Sequence, residues 1–445
     1  MTRRFRDRLM LAASACALGL MLSPARLRAL DLDLKGVDGL NTETAASRDR
    51  LKVWDNTEKY GASTVANGDR REYAPEGLRV GNYFIFPTIG AAVVYDDNIF
   101  AIDDDKHADF RTEITPGIQF KSSLPRHVLD FSLDGRFVNY ADNPDQDYAN
   151  YRAKVEGALH YDHAHTFSLS MSSVLKHEER DDPLFSLQAD QPIPVLENRA
   201  AVGITRDVGR LYGTLAASFE DRNYYDVDAI DGSNLDQDSR DSQTYAGQLK
   251  VGYRFSPGFD FVGKFRTLRI ENRGDAFSDR DSWGYEAVAG LAFETNPLLK
   301  WRILGGYGVR DFADNGLQDL ATSLINADVQ WLPTQRLTIY ASLYRQIEES
   351  IDLEASSVVQ TGGKVRADYE IYHNLVLSGT LELRQDDFGG IDRNDDVALG
   401  RIELDYYFSK NWLFTLGYEH QVRDSTIDSL DMHRNRYMVG AKLRF

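Results

Sequence analysis

The chain has one cysteine, Cys16, in 445 residues. That scarcity excludes an internal disulfide framework and any thiolate cluster for a metal. Proline is scarce too, with 12 residues, so few ladder hydrogen bonds are lost to it. Beyond the N-terminus no stretch is long and apolar enough to be a membrane-spanning helix. Mean hydropathy is -0.43. Such a value suits a water-soluble protein, but also a β-barrel, in which only every second residue meets lipid. Positive charge is outweighed: the formal net charge of -18 makes nucleic acid an unfavourable partner. Neither G-x-S-x-G nor H-E-x-x-H occurs, so two local signatures of hydrolases are missing. Active sites assembled from distant strands leave no such signature, so an outer-membrane polymer-modifying enzyme stays as an alternative.

What is present begins with Arg3, Arg4, Arg6 and Arg8, followed by an apolar run from Leu9 to Leu22 and small or apolar residues at Leu27 and Ala29. This is the pattern of a secretory signal peptide over 1–29. A lipoprotein signal would place a leucine-like residue where Ala13 stands and would end its apolar run at Cys16, whereas the run continues. Residues 1–29 hold six Arg and one Asp, so their removal leaves -23. Residues 30–80 are polar and lack a sustained period; they read as a periplasmic N-terminal arm, free to move, to plug the lumen or to dock a partner.

From Gly81 to Phe445 the period is two. Phe110, Thr112, Ile114, Pro116, Ile118 and Phe120 share one face, with Arg111, Glu113, Gln119 and Lys121 on the other. Tyr151, Ala153, Val155, Gly157, Leu159 and Tyr161 alternate with Arg152, Lys154, Glu156 and His160. Tyr245, Gly247, Leu249, Val251, Tyr253 and Phe255 alternate with Gln248, Lys250 and Arg254. Aromatic residues at the ends of apolar faces are what a lipid-facing band with interfacial girdles requires. Short turns near 122–126, 162–165, 207–210, 256–258, 295–298, 332–335, 372–374 and 409–411 alternate with longer polar loops, the longest at 177–196 and 223–243. The expectation is an all-β, outer-membrane-type transmembrane antiparallel barrel of about 18 strands, within about 16 to 18. At the C-terminus Tyr437, Val439, Ala441, Leu443 and Phe445 alternate without a break. A terminal aromatic after such a strand resembles the signal read by the barrel insertion machinery. Gram-negative outer-membrane lipid and lipopolysaccharide are then the surroundings.

The segment 79–183 resembles the putative β-barrel porin 2 family. Its opening "RVGNYFIFP" carries Gly81, Phe84 or Phe86, and Pro87; the turn Tyr95-Asp96-Asp97-Asn98-Ile99 follows; Glu179 and Arg180 close the likeness. The resemblance implies an outer-membrane barrel associated with exopolysaccharide and capsule loci. It therefore implies export of a polysaccharide substrate, with a periplasmic export partner for the arm. Beyond about residue 200 the likeness is one of rhythm. A general or solute-specific diffusion porin is the alternative, with 223–243 as the candidate for a loop folded into the lumen. The resemblance brings no catalytic residues and no cofactor.

The polar faces carry both charge signs. Candidate pore-lining residues are Arg111, Glu113, Arg136, Arg152, Lys154, Lys250, Arg254, Lys264, Arg302, Lys364, Arg366, Arg384, Arg401 and Glu403. They would offer a solute successive weak sites, or simply pair across strands to hold a polar interior together. The loop "DVDAIDGSNLDQD" is oxygen-rich but misses the spacing of a calcium-binding EF-hand. His160, His163 and His165 cluster at one turn without a supporting cysteine. No metal is expected at either place.

Overall fold

The computed structural model describes residues 64–65, 70, 72–178, 180, 189–273, 280–296, 298–313, 317–350 and 355–445. The expected signal peptide at 1–29, most of the expected arm at 30–80, Glu179, and residues 181–188 of the 177–196 loop lie outside them. In chain order the strands are β1 (Leu78–Val80), β2 (Tyr83–Asp96), β3 (Asp109–Ser122), β4 (His127–Tyr140), β5 (Tyr148–His160), β6 (His165–Glu178), β7 (Ile193–Val208), β8 (Leu211–Tyr224), β9 (Val227–Asp228) and β10 (Asn234–Leu235). There follow β11 (Ser242–Ser256), β12 (Phe259–Asn272), β13 (Ser282–Asn296), β14 (Leu299–Phe312), β15 (Leu320–Thr334), β16 (Leu337–Glu349), β17 (Ser357–Tyr372), β18 (Leu375–Phe388), β19 (Arg393–Tyr407), β20 (Trp412–Ser425) and β21 (Met432–Arg444).

Eighteen of these, β2–β8 and β11–β21, make one closed antiparallel barrel in which each strand pairs with the next and β21 returns to β2. The tight turns and longer loops alternate as the composition of the connections requires, and the even strand number leaves both ends of the barrel on the side of the tight turns. β1 is a short hairpin partner of β2, with Val80 opposite Tyr83. Gly81 makes that turn with φ +59, a conformation that a side chain would strain.

Alternation decides which face each residue takes. Phe110, Ile114, Leu159, Tyr245, Leu249, Val251, Tyr253, Tyr437 and Val439 are all exposed on the outer wall. Arg111, Glu113, Arg136, Arg302 and Arg366, on the opposite parity, are buried within it. Aromatic contacts gather at both rims: Tyr95 with Phe110 and Tyr418 with Tyr437 at the long-loop rim, Phe293 with Trp301 and Trp412 with Phe414 at the tight-turn rim. An apolar band between aromatic girdles is the outer surface a bilayer requires.

The seam explains the Tyr95–Ile99 motif. Asp96, fully buried, accepts from Arg434 Nε at 3.0 Å on each oxygen and from Nη2 at 2.5 Å. Asp97 accepts from the backbone and side-chain nitrogens of Asn435, both at 2.6 Å. Asn98 Nδ2 donates to the carbonyls of Ile102 and His433. The motif thus ties the first barrel strand to the last above their ladder. At the other end the Phe445 N–H donates to the Pro87 carbonyl at 3.1 Å.

Candidate functional site: the lumen and its constriction

The inward wall is largely a lattice of ion pairs. Arg302 faces Asp328 and Lys364 faces Glu382 as direct register partners, at 2.8 and 2.6 Å. Glu113 takes both Arg111 and Arg136, at 3.0 and 2.8 Å. Arg366 bonds Asp368 at 2.9 Å and lies 3.7 Å from Glu403. Arg384 pairs with Asp386, Lys154 with Glu156, Arg254 with Asp207, and Arg401 with Glu419. Lys250 and Lys264 stand opposite each other in register. Arg152 stands opposite Asp134, and its Nε and Nη2 are buried with no hydrogen-bond partner. Most candidate lining residues therefore spend their charge on partners in the wall: Arg302, Lys364, Arg136 and Arg401 across to the adjacent strand, and Arg111, Lys154, Arg366 and Arg384 on an acid two residues along their own strand.

The lumen is narrowed by an element that loop length did not single out. The β15–β16 ladder runs from Thr334–Leu337 only to Ile325–Arg345, whereas β16 and β17 stay paired up to Glu349–Ser357. Above Arg345 the β16–β17 hairpin leaves its neighbour and leans inward. Three contacts fix its course. Ile347 Cδ1 lies 3.0 Å from where a Cβ at Gly308 of β14 would stand, so a side chain there would push Ile347 back by a few tenths of an ångström. The Arg280 side chain donates to the Ala355 carbonyl at 2.7 Å. Glu349 comes within 3.6 Å of Arg222 on β8. Neighbouring strands lie about 4.8 Å apart, so the six steps from β16 to β8 span about 29 Å along the wall. A side-chain contact between them requires the upper end of the hairpin to fold inside the barrel, over the inner face of β14, and to cut across part of the lumen, while β17 stays paired with β18 up to Val358–Phe388.

Beside its tip, Ala355 and Val358 of the hairpin cluster with Phe388 of β18, joined by Ile391. Its tip meets a dense charge patch: Glu197 with Lys176 at 2.7 Å, Arg199 with Glu220 at 2.8 Å, and Arg222 with Glu220 at 2.7 Å. Of these constriction residues, none stood among the candidates drawn from the sequence. One signal was there to be found. Arg345 falls on the outward parity of β16, where lipid would make it costly. In the fold its guanidinium instead donates to Thr322 and Thr361, at 3.0 and 2.5 Å.

The 223–243 loop, expected to reach into the lumen, does not supply this crossing. It forms the β9–β10 hairpin and packs on its own wall through Ala189, Ile193, Val195, Tyr224 and Val227. Arg240 holds it down, donating to Glu178 at 2.7 and 2.8 Å and stacking 4.0 Å from the Tyr224 ring. Apolar residues on neighbouring inward positions (Ile193, Val195) gave the loop a nearer seat than the far wall. Nearby, Arg180 ties three loops together through Gln146, Ala189 and Asp190 and stacks on Phe100; burial lowers it to about 10. Asp226, Asp236 and Asp238 lie close enough to share a cation, but all three are exposed.

The described part of the arm binds the tight-turn mouth. Val65 N–H donates to Thr338 at 2.9 Å. Arg70, buried, donates to Glu370, to the His373 carbonyl and to the Val65 carbonyl, and lies over the Tyr407 ring. Arg444 donates to the Tyr73 carbonyl.

A closed barrel with a lipid belt outside, charged pairs inside and a hairpin across part of the lumen defines a porin-like outer-membrane β-barrel, at home in the outer membrane of a Gram-negative cell. The chain belongs to the family described as putative beta-barrel porin 2, whose model matches residues 71–445. No curated protein matches it. Among solved structures it is similar to the outer membrane protein opdK of Pseudomonas aeruginosa, at 12% identity and a TM-score of 0.42 over 81% of this chain and 99% of that one. It is similar to OccK2 (OpdF) of the same organism at 11% identity and 0.47, over 82% and 99%. Acinetobacter baumannii OccAB4 gives 11% and 0.44 over 85% and 100%.

Proposed function

We propose that this barrel is a diffusion porin for small hydrophilic solutes. The observation that carries the reading is the β16–β17 hairpin, whose Glu349 meets Arg222 on β8, six strands round the wall. A barrel of about 18 strands is wide enough for an aqueous channel. Mixed charges around a constriction let a polar solute exchange its hydration for weak wall contacts and leave again. The polysaccharide export implied by the family resemblance draws no support from the fold, the lumen or the comparisons, and a hairpin across the path suits a short solute better than a polymer.

The test is liposome swelling with the purified full-length chain. Small sugars and amino acids should enter, and entry should fall steeply with solute size. Absence of entry, with loss of surface polysaccharide when the protein is removed from its cell, would overturn the reading.

A further inference from the structure

Two groups at the constriction stand unused while their neighbours are paired. Arg310, on the inward face of β14, is only 5% exposed. It makes no hydrogen bond or ion pair among the described residues, and its Nη1 is buried without a partner. A guanidinium taken out of water with nothing to bond is costly, so a native site that keeps one needs a reason. Glu349, at the tip of the crossing hairpin, also accepts no hydrogen bond among the described residues. Its one ion pair, with Arg222, is long at 3.6 Å, and its side chain is 35% exposed.

Ile347 of β16 packs against Gly308 of β14, and β14 and β16 run the same way, so Glu349 and Arg310, each two residues further on, come to the same end of that contact. Glu286 and Glu348 are the other acids whose charge acts on Arg310. Both of the latter have partners of their own: Glu286 lies 3.5 Å from Arg266, and Glu348 accepts from Gln346 at 2.8 Å. No ion pair closes between Arg310 and Glu349. The gap is thus bounded by the Arg310 guanidinium on the wall and, on the hairpin, a carboxylate held only by its long ion pair with Arg222. A simple anion would meet Arg310 but be repelled by three glutamates. A simple cation would meet the glutamates but be repelled by Arg310, Arg266 and Arg222.

Resting on the porin reading, we propose that the constriction is a binding site for small zwitterions. The carboxylate of the solute accepts from Arg310, and its ammonium group donates to Glu349. Guanidinium and carboxylate match in planar, bidentate geometry, and charge-assisted bonds of this kind gain strength where water is thin. Nothing covalent is involved; the site would favour passage of an amino-acid-like solute over a neutral one of the same size.

The experiment compares alanine with lactamide, two solutes of similar size and no net charge, in swelling of proteoliposomes carrying the full-length chain. Wild type should admit alanine at least threefold faster. Arg310→Gln and Glu349→Gln should each bring the alanine-to-lactamide ratio to about one, and Arg310→Lys should keep part of the preference. Heat-modifiable gel mobility checks that each variant is folded. Equal entry of the two solutes in wild type, or an unchanged ratio in both Gln variants, would overturn the zwitterion site alone. If neither solute enters, the porin reading itself fails.

Discussion

Two strand boundaries of this barrel are opposites. At the seam, β2 and β21 come from the two ends of the barrel sequence, and their ladder from Thr88–Arg444 to Asp96–Arg436 is clasped at its upper end by Asp96–Arg434 and Asp97–Asn435. Between β15 and β16, joined by a tight turn, the ladder stops at Arg345 and the strands part. Covalent continuity supplies closeness between sequential strands, so side chains need not. At the seam no turn does that work, and buried charge pairs replace it. Where the ladder stops, the freed hairpin is held instead by Gly308, the Ala355–Phe388 cluster and Arg280.

The comparison breaks most sharply at the seam. Asp96→Ala takes from the buried Arg434 the carboxylate that it bonds through Nε and Nη2, and loss of one partner of a buried pair costs about 3–5 kcal/mol. Little folded barrel should reach the membrane, as read by heat-modifiable mobility; wild-type yield would show that the ladder alone closes the barrel. A smaller effect separates the two faces of ordinary strands. Leu249→Arg or Ala153→Arg on the lipid side should cost about 2–4 kcal/mol. Lys250→Ala or Lys154→Ala should cost clearly less. Equal tolerance on both faces would mean a register displaced by one residue.

The smallest effect concerns the loop that stays on its own wall. Burial pushes the Asp241 carboxyl up to about 6, although the Tyr224 N–H donates to it. The folded value lies above the unfolded one, so the loop anchor is strongest at low pH and weakens as pH rises through about 6. Proteolytic nicking at 225–241 should therefore be faster at neutral than at mildly acidic pH in wild type, and the difference should disappear in Asp241→Asn. Asp162, in a tight turn, behaves oppositely: bonds from His165 and Ala164 lower it to about 2, so its contribution is lost only in strong acid.

The barrel itself was legible because period-two alternation is a local property. The segments around Phe110, Tyr151 and Tyr245 each declare an outer face without knowledge of their neighbours, and tight turns declare where strands reverse. The Tyr95–Ile99 motif was visible, but its role was not, since Arg434 and Asn435 are more than 300 residues away. The constriction escaped for a related reason. Loop length directed attention to 223–243, whereas the crossing element is a pair of regular strands whose neighbour ladder ends early. Only Arg345, a charge on the lipid parity, betrayed it locally. Arm residues such as Arg70 carry no pattern at all; Glu370 and Tyr407 give them meaning only after folding.

The central claim, that the upper end of the β16–β17 hairpin cuts across part of the lumen to β8, is tested most directly by chemical cross-linking. In a Cys16→Ser background, Arg222→Cys and Glu349→Cys are combined and treated with a short bifunctional maleimide. A crossing hairpin predicts an internal cross-link that alters the mobility of the unfolded chain, as a register pair such as Lys364→Cys with Glu382→Cys should also give. Cross-linking of the register pair but not of positions 222 and 349 would place the hairpin along its own wall and contradict the account.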